Sequence, residues 1–167
     1  ELHAAMSMKL DSRQAAEAFK TLGQIALAAA DYDLAVRHFE RAIELMPHSS
    51  DALYSLGTAL NRMGQSDRGK HYLERSQVLL ELDERLDEVG NQLTNDVGNT
   101  ALRVKAANIL LEMGDKTKAA NYMLSALRYD PDLHSAHEML AEYYREQGRG
   151  DLARQHRELA RSPDAAK

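Results

Sequence analysis

Between Ala16 and Pro47 apolar and small residues return every three or four positions, pause, and resume in the same rhythm. That period predicts two amphipathic helices joined by a tight turn. With Ala16 as position 1, the unit carries Phe19, Leu22-Gly23, Ala26, Ala35, Phe39, Ala42 and Pro47. Gly23 and Ala35 are small where two antiparallel helices cross, and Phe19, Leu22 and Phe39 fill the space on either side. Asp31 stands at the turn, where its carboxylate caps the second helix, and Pro47 follows that helix because proline cannot continue one. A hairpin of this size buries only one face and needs neighbours.

The same register returns. Residues 50–83 carry Leu53, Leu56-Gly57, Leu60, Gly69, Leu73 and Ser76, with Gly64 at the turn; Gly69 and Ser76 replace alanines, and Glu81 stands where proline would. Residues 100–133 carry Ala106-Ala107, Leu110, Gly114, Ala119, Met123, Ala126 and Pro131, and residues 134–167 carry Leu140-Ala141, Tyr144, Gly148, Ala153, Arg157 and Ala160. Between the second and third copies the stripe Leu73, Val78, Leu79, Leu82, Leu86, Val89, Leu93, Val97 does not stop. It predicts one long helix from about Asp67 to about Asn95, bent near Gly90, with two helices broken at Gly90-Asn91 as the alternative. Residues 84–99 are then an insertion that leaves both neighbouring registers intact. Ahead of the first copy, residues 1–15 hold Leu2, Met6 and Leu10 on one helical face, either a short lead-in helix or a frayed terminus, and Asp11-Ser12 reads as the N-cap of the helix that follows.

Four copies in register resemble the tetratricopeptide repeat family, whose repeat is 34 residues. The resemblance covers residues 16–83 and 100–167. It implies an all-α, right-handed superhelical solenoid of antiparallel helix hairpins, here one domain with an extended helix after the second repeat. Arg154, His156, Arg157, Glu158 and Arg161 give the last helix the polar outer face of a terminal cap, stopped by Ser162-Pro163 and followed by a loose tail.

Composition agrees and narrows the function classes. There is no Val/Ile/Thr-rich alternation of the kind that builds strands. A net charge of −5 and a pI near 5.8 argue against a general nucleic-acid or membrane-surface binder. No apolar run is long enough for a membrane span, and no signal-peptide pattern is seen. The chain opens with Glu1 rather than Met, so a processed form or fragment is expected. The absence of cysteine excludes disulfides, thiol catalysis and thiolate ligation but suits reducing and oxidising compartments alike. A cytoplasmic setting is the simplest expectation, and a periplasmic or secreted one follows if a leader was removed.

Nothing in the chain has the spacing of a phosphate loop, a nucleophile elbow or an HExxH helix, so no enzyme, cofactor or metal is expected. His134 and His137 lie one turn apart without a third ligand, and His38, His71 and His156 fall where a polar surface residue is the default. What remains is a groove. In the family, positions 2, 5, 9, 12 and 13 of each repeat line the concave side. That implies partner-binding roles for Lys20, Gln24, Tyr54, Thr58, Asn61, Arg62, Asn108, Glu112, Glu138 and Glu142. Amide side chains hydrogen-bond a peptide backbone of any sequence, and a tyrosine adds flat apolar area, so this lining suits an extended peptide or a partner helix. The chaperone-tail clamp of one family branch is incomplete: Lys20 matches, but Gln24 and Ser55 replace its asparagines and Ala107 follows Arg103 one turn on. The extended helix carries Leu86, Val89 and Leu93, which either pack on their own neighbours or serve self-association as a homo-oligomer. The expected partner is another protein, bound by a scaffold; the rival reading is a structural, self-associating module of a larger assembly.

Overall fold

The structure, a computed structural model, describes residues 2–161, with side chains from residue 12 onward. These residues form eight α-helices: α1 (Leu2–Ala28), α2 (Tyr32–Leu45), α3 (Ser50–Arg62), α4 (Ser66–Asn95), α5 (Thr100–Met113), α6 (Lys116–Ala126), α7 (His134–Glu146) and α8 (Gly150–Leu159). Two compact units divide within α4, unit 1 ending at Glu81 and unit 2 beginning at Leu82. Consecutive helices pack on one another, α1 on α2 and α2 on α3 in unit 1, α5 on α6, α6 on α7 and α7 on α8 in unit 2.

The hairpin turns share one solution. Position 15 of every repeat adopts a left-handed conformation: Ala30 (φ 59°), Gly64 (φ 77°), Gly114 (φ 92°) and Gly148 (φ 69°). Glycine does this without strain, whereas the β-carbon of Ala30 costs about 1–2 kcal/mol there. Ala30→Gly is therefore expected to stabilise unit 1 by about 0.5–1 kcal/mol, the strain relieved less the unfolded-chain entropy that glycine adds. A urea midpoint that falls instead of rising would show that the turn carries no such strain. Side-chain caps hold the helix starts: Asp31 accepts the Leu34 N–H (3.1 Å), Ser49 that of Ala52 (3.3 Å), Asn99 that of Leu102 (2.9 Å) and Asp115 that of Lys118 (2.9 Å).

In unit 1, Phe39 fills the crossing of α1 and α2. A β-carbon on Gly23 would stand 2.6 Å from the Phe39 ring, so the glycine is what lets the ring in. Ala26, Ala35, Val36 and Phe39 from repeat one close a core with Leu56, Ala59 and Leu60 of α3. The next crossing is tighter still. A β-carbon on Gly57 would meet the Gly69 carbonyl oxygen at 2.8 Å, and one on Gly69 would meet the Gly57 oxygen at 2.8 Å. Ser76 donates its hydroxyl to the Ser50 carbonyl at 2.8 Å. Gly69 and Ser76, which look like losses from the repeat pattern, are what joins α3 to α4 at this distance.

In unit 2, the second half of α4 runs beside α5, tied to it by Arg85 and Glu112 at 3.1 Å. Leu82 and Val89, two helical turns apart, are buried, as are Ala106, Ile109 and Leu110 of α5. Met123 of α6 and Leu140 of α7 are buried as well. Arg154 and Arg157 on α8 are exposed around the buried Ala153.

One expectation needs correction. Helix α1 runs unbroken from Leu2 through Asp11 and Ser12, so these residues do not cap a separate helix. Nothing between Leu2 and Leu22 is glycine or proline, and a capping preference of about 1 kcal/mol does not stop a helix that is otherwise well supplied. Helix α4, by contrast, is the one long helix that the continuous stripe predicts, running from Ser66 to Asn95 through Gly90-Asn91, and the alternative of two broken helices falls away. The packing of Leu2, Met6 and Leu10, and the stop and tail from Ser162 to Lys167, lie outside the described residues.

Candidate functional site: the exposed row of first helices

Within unit 1 the residues expected to face a partner fall on α1 and α3. On α3, Tyr54, Thr58, Asn61 and Arg62 follow at spacings of four, three and one, which keeps them on neighbouring rows of one helix face. Tyr54 is 61% exposed, Asn61 and Arg62 are exposed, and Thr58 is half-buried. Gln24 of α1 is exposed. Lys20 is less available: its side chain is only 19% exposed, paired with Glu17 at 2.8 Å and within 3.9 Å of Asp51. Beside Tyr54 opens a depression of about 360 Å³ between α3 and α4, lined by Ser50, Asp51, Tyr54, Leu73, Ser76, Gln77 and Leu80. It combines an aromatic wall and two leucines with a carboxylate and an amide, which is the composition of a pocket for one apolar side chain flanked by backbone hydrogen bonds.

In unit 2 the corresponding residues are Asn108 and Glu112 on α5 and Glu138 and Glu142 on α7, all exposed. Two of the carboxylates already have cations. Glu112 is held by Arg85. Glu142 accepts a forked pair of hydrogen bonds from Arg145, which holds the Glu142 carboxyl below the usual carboxylate range and raises the Arg145 guanidinium. Glu146 on the same helix is bound by Lys116 at 2.7 Å. The acidic turn at the end of the row is thus largely neutralised within the chain.

Burial bears on several other positions. Val89 is fully buried and Leu86 and Leu93 are half-buried, so the chain itself covers most of the stripe on the extended helix. Arg103, the first basic position of the incomplete clamp, is buried. Its Nε donates to Ser125 Oγ (3.0 Å), a terminal nitrogen donates to the Asn99 carbonyl (3.1 Å), and the guanidinium lies 4.4 Å from the Tyr129 ring centre. It fastens α5 to α6 rather than receiving a ligand.

The histidines divide differently from the sequence expectation. His134 is exposed and donates Nδ1–H to the Asp132 carbonyl (3.0 Å). His137 is buried and turns to His156 on α8, with the two Nδ1 atoms 2.8 Å apart and Nε2 of His137 2.8 Å from the Pro131 carbonyl. A carbonyl only accepts, so Nε2 carries the His137 proton, its Nδ1 accepts, and His156 donates. Burial, and then the neighbouring His137, lower the His156 pKa. His156 also stacks on Tyr144, with ring centres 5.5 Å apart. The pair is a polar fastening between α7 and α8, and among the described residues no three His, Asp or Glu side chains are grouped to hold a metal ion. No helix among the described residues is long and apolar enough to cross a membrane.

Two tetratricopeptide repeat models match the chain, over residues 26–77 and 104–166. Among solved structures, a crystal structure of the MamA protein aligns at 16% identity over 88% of this chain and 90% of its own, with a TM-score of 0.44. A second MamA structure, from AMB-1, aligns at 22% identity over 91% and 93%, with a TM-score of 0.46. YrrB, a TPR protein with an unusual peptide-binding site, aligns at 14% identity over 88% and 86%, with a TM-score of 0.44. No curated protein sequence matches the chain. The two family matches together span more than two thirds of the chain, which belongs to the tetratricopeptide repeat family and is built as a protein-interaction module.

Proposed function

We propose that the chain is a non-catalytic scaffold that binds an extended peptide or a partner helix along the first-helix row of unit 1. Its repeats are residues 16–49, 50–83, 100–133 and 134–167, with 84–99 inserted. The observation that carries the reading is Tyr54, a large ring left 61% exposed at the edge of the 360 Å³ depression and in line with Thr58, Asn61 and Arg62. An exposed tyrosine beside a pocket contributes contact area at little entropic cost, and aromatic residues of this kind dominate binding energy at interfaces. In this reading an apolar side chain of the peptide enters between Tyr54 and Leu80, Asn61 and Gln24 bond its backbone, and Arg62 meets a carboxylate. Asn108, Glu112, Glu138 and Glu142 form a second such row in unit 2, where the pairing of Glu112 and Glu142 leaves Asn108 and Glu138 as its principal polar contacts.

The test is a random peptide library panned against the full chain, with affinities of the recovered peptides measured by fluorescence anisotropy. Tyr54→Ala is expected to weaken them about tenfold or more, in keeping with an interface hot spot. Equal binding to wild type and Tyr54→Ala would remove unit 1's row as the site.

A further inference from the structure

The repeat register shows which first-helix positions one repeat uses to stack on the next. Positions 7 and 10 are Leu56 and Ala59 on α3, Ala106 and Ile109 on α5, and Leu140 and Tyr143 on α7. Five of these six are buried to about 1% exposure or less, and Tyr143 is half-buried. Leu56 and Ala59 are covered by Val36 and Phe39 of repeat one. On α1 the same two positions are Leu22 and Ile25, and they are 45% and 62% exposed. Among the described residues, these two large apolar side chains occupy a stacking position with nothing stacked on it.

The rest of that face has an unusual character. Gln14, Ala18, Thr21, Leu22 and Ile25 follow the helical period along α1, and Ala29, just past its end, continues it with its N–H on the Ile25 carbonyl at 3.0 Å; all are exposed and none is charged. The face is distinct from the row holding Lys20 and Gln24, which lies about a quarter turn or more around the helix. The other stacking faces do not match it. In repeat two, the counterparts of Leu34, Val36 and Ile43 are Arg68, Lys70 and Gln77, all exposed, and in repeat four Val36 and Ile43 become Arg154 and Arg161. A second copy that set its α1 on either face would bury cations against Leu22 and Ile25, which is costly.

We infer that α1 pairs with α1 of a second copy of this chain, antiparallel and about a two-fold axis between Leu22 and Ile25. Each Leu22 then meets the other copy's Ile25, and each Ala18 meets the other copy's Ala29. Antiparallel pairing suits the stripe because its ends are small and its centre large, so two copies interlock with no like charges opposed. Two single-helix faces bury less than a standard interface, so the dimer is weak, with a Kd in the micromolar range of about 10–100 μM.

Sedimentation velocity of the full chain from about 1 μM to about 1 mM, spanning that range, is expected to show monomer giving way to dimer. Ile25→Glu should weaken association at least about tenfold with an unchanged helical circular dichroism spectrum, since position 25 is exposed. The chain has no cysteine, so single replacements report the register cleanly. Ala18→Cys mixed with Ala29→Cys should form a disulfide between copies under mild oxidation. Ala18→Cys alone should not, because its two sulfurs would be about 16 Å apart along the axis. A wild type that stays monomeric throughout, or a dimer that Ile25→Glu leaves intact, overturns the inference. Ready cross-linking of Ala18→Cys to itself overturns the antiparallel register.

Discussion

Val89→Asp is expected to unfold unit 2. Val89 has no exposed surface, and an aspartate placed there would be a buried carboxylate without a partner, a change that costs about 4 kcal/mol or more. The loss should begin where α4 runs beside α5 and spread through the stack, because each hairpin of a repeat array is held by its neighbours. Hydrogen exchange followed by mass spectrometry would show fast exchange in α5 to α8 while α1 to α3 keep their protection. Undiminished protection in α5 would mean that the extension of α4 is not what supports that helix. Glu81→Ala, on the same helix and exposed, is the control expected to change little.

Phe39→Ala should have the corresponding effect on unit 1. The ring is fully buried and packs against the α-carbon of Gly23, so its removal leaves a cavity that the two crossing helices cannot close by side-chain movement alone. Large-to-small changes of this kind cost about 3–5 kcal/mol. Phe39→Leu, which keeps most of the volume, should cost clearly less. Urea unfolding followed by circular dichroism at 222 nm measures both, and equal midpoints for Phe39→Ala and wild type would contradict the packing described.

Most of the helices were legible from spacing because a repeat array repeats its physics. The apolar stripe through Leu79, Leu82, Leu86, Val89 and Leu93 announces one long helix, and Gly64 marks the turn of the second copy, where a left-handed residue is needed; that Ala30 takes the same conformation in the first copy does not show in its side chain. What spacing did not reveal is how closely the helices approach. Gly69 reads as a degraded alanine site until its backbone is seen against Gly57. The polar character of Arg68, Lys70 and Gln77 was a usable signal that repeat two, like repeat four, presents a face unsuited to apolar stacking. It appears only when those residues are compared position by position with Leu34, Val36 and Ile43.

The candidate site was legible by face and not by pairing. Register alone brings Tyr54, Thr58, Asn61 and Arg62 onto one side of α3. It does not show that Glu17 takes up Lys20, that Arg85 reaches Glu112 from the extended helix, or that Arg145 folds onto Glu142. Such ion pairs depend on rotamers of long side chains at the surface, which no periodicity encodes. His156 shows the same limit, since its partner His137 lies nineteen residues earlier on the neighbouring helix.

The exposed first-helix row of unit 1 is the proposed recognition surface. Its most direct test is two-dimensional NMR of the isotope-labelled full chain titrated with a peptide recovered by panning. Saturable shifts at Gln24, Tyr54, Thr58, Asn61 and Arg62, with α6 and α8 unmoved, are the predicted result. Shifts confined to unit 2, or to Leu22 and Ile25, would contradict it.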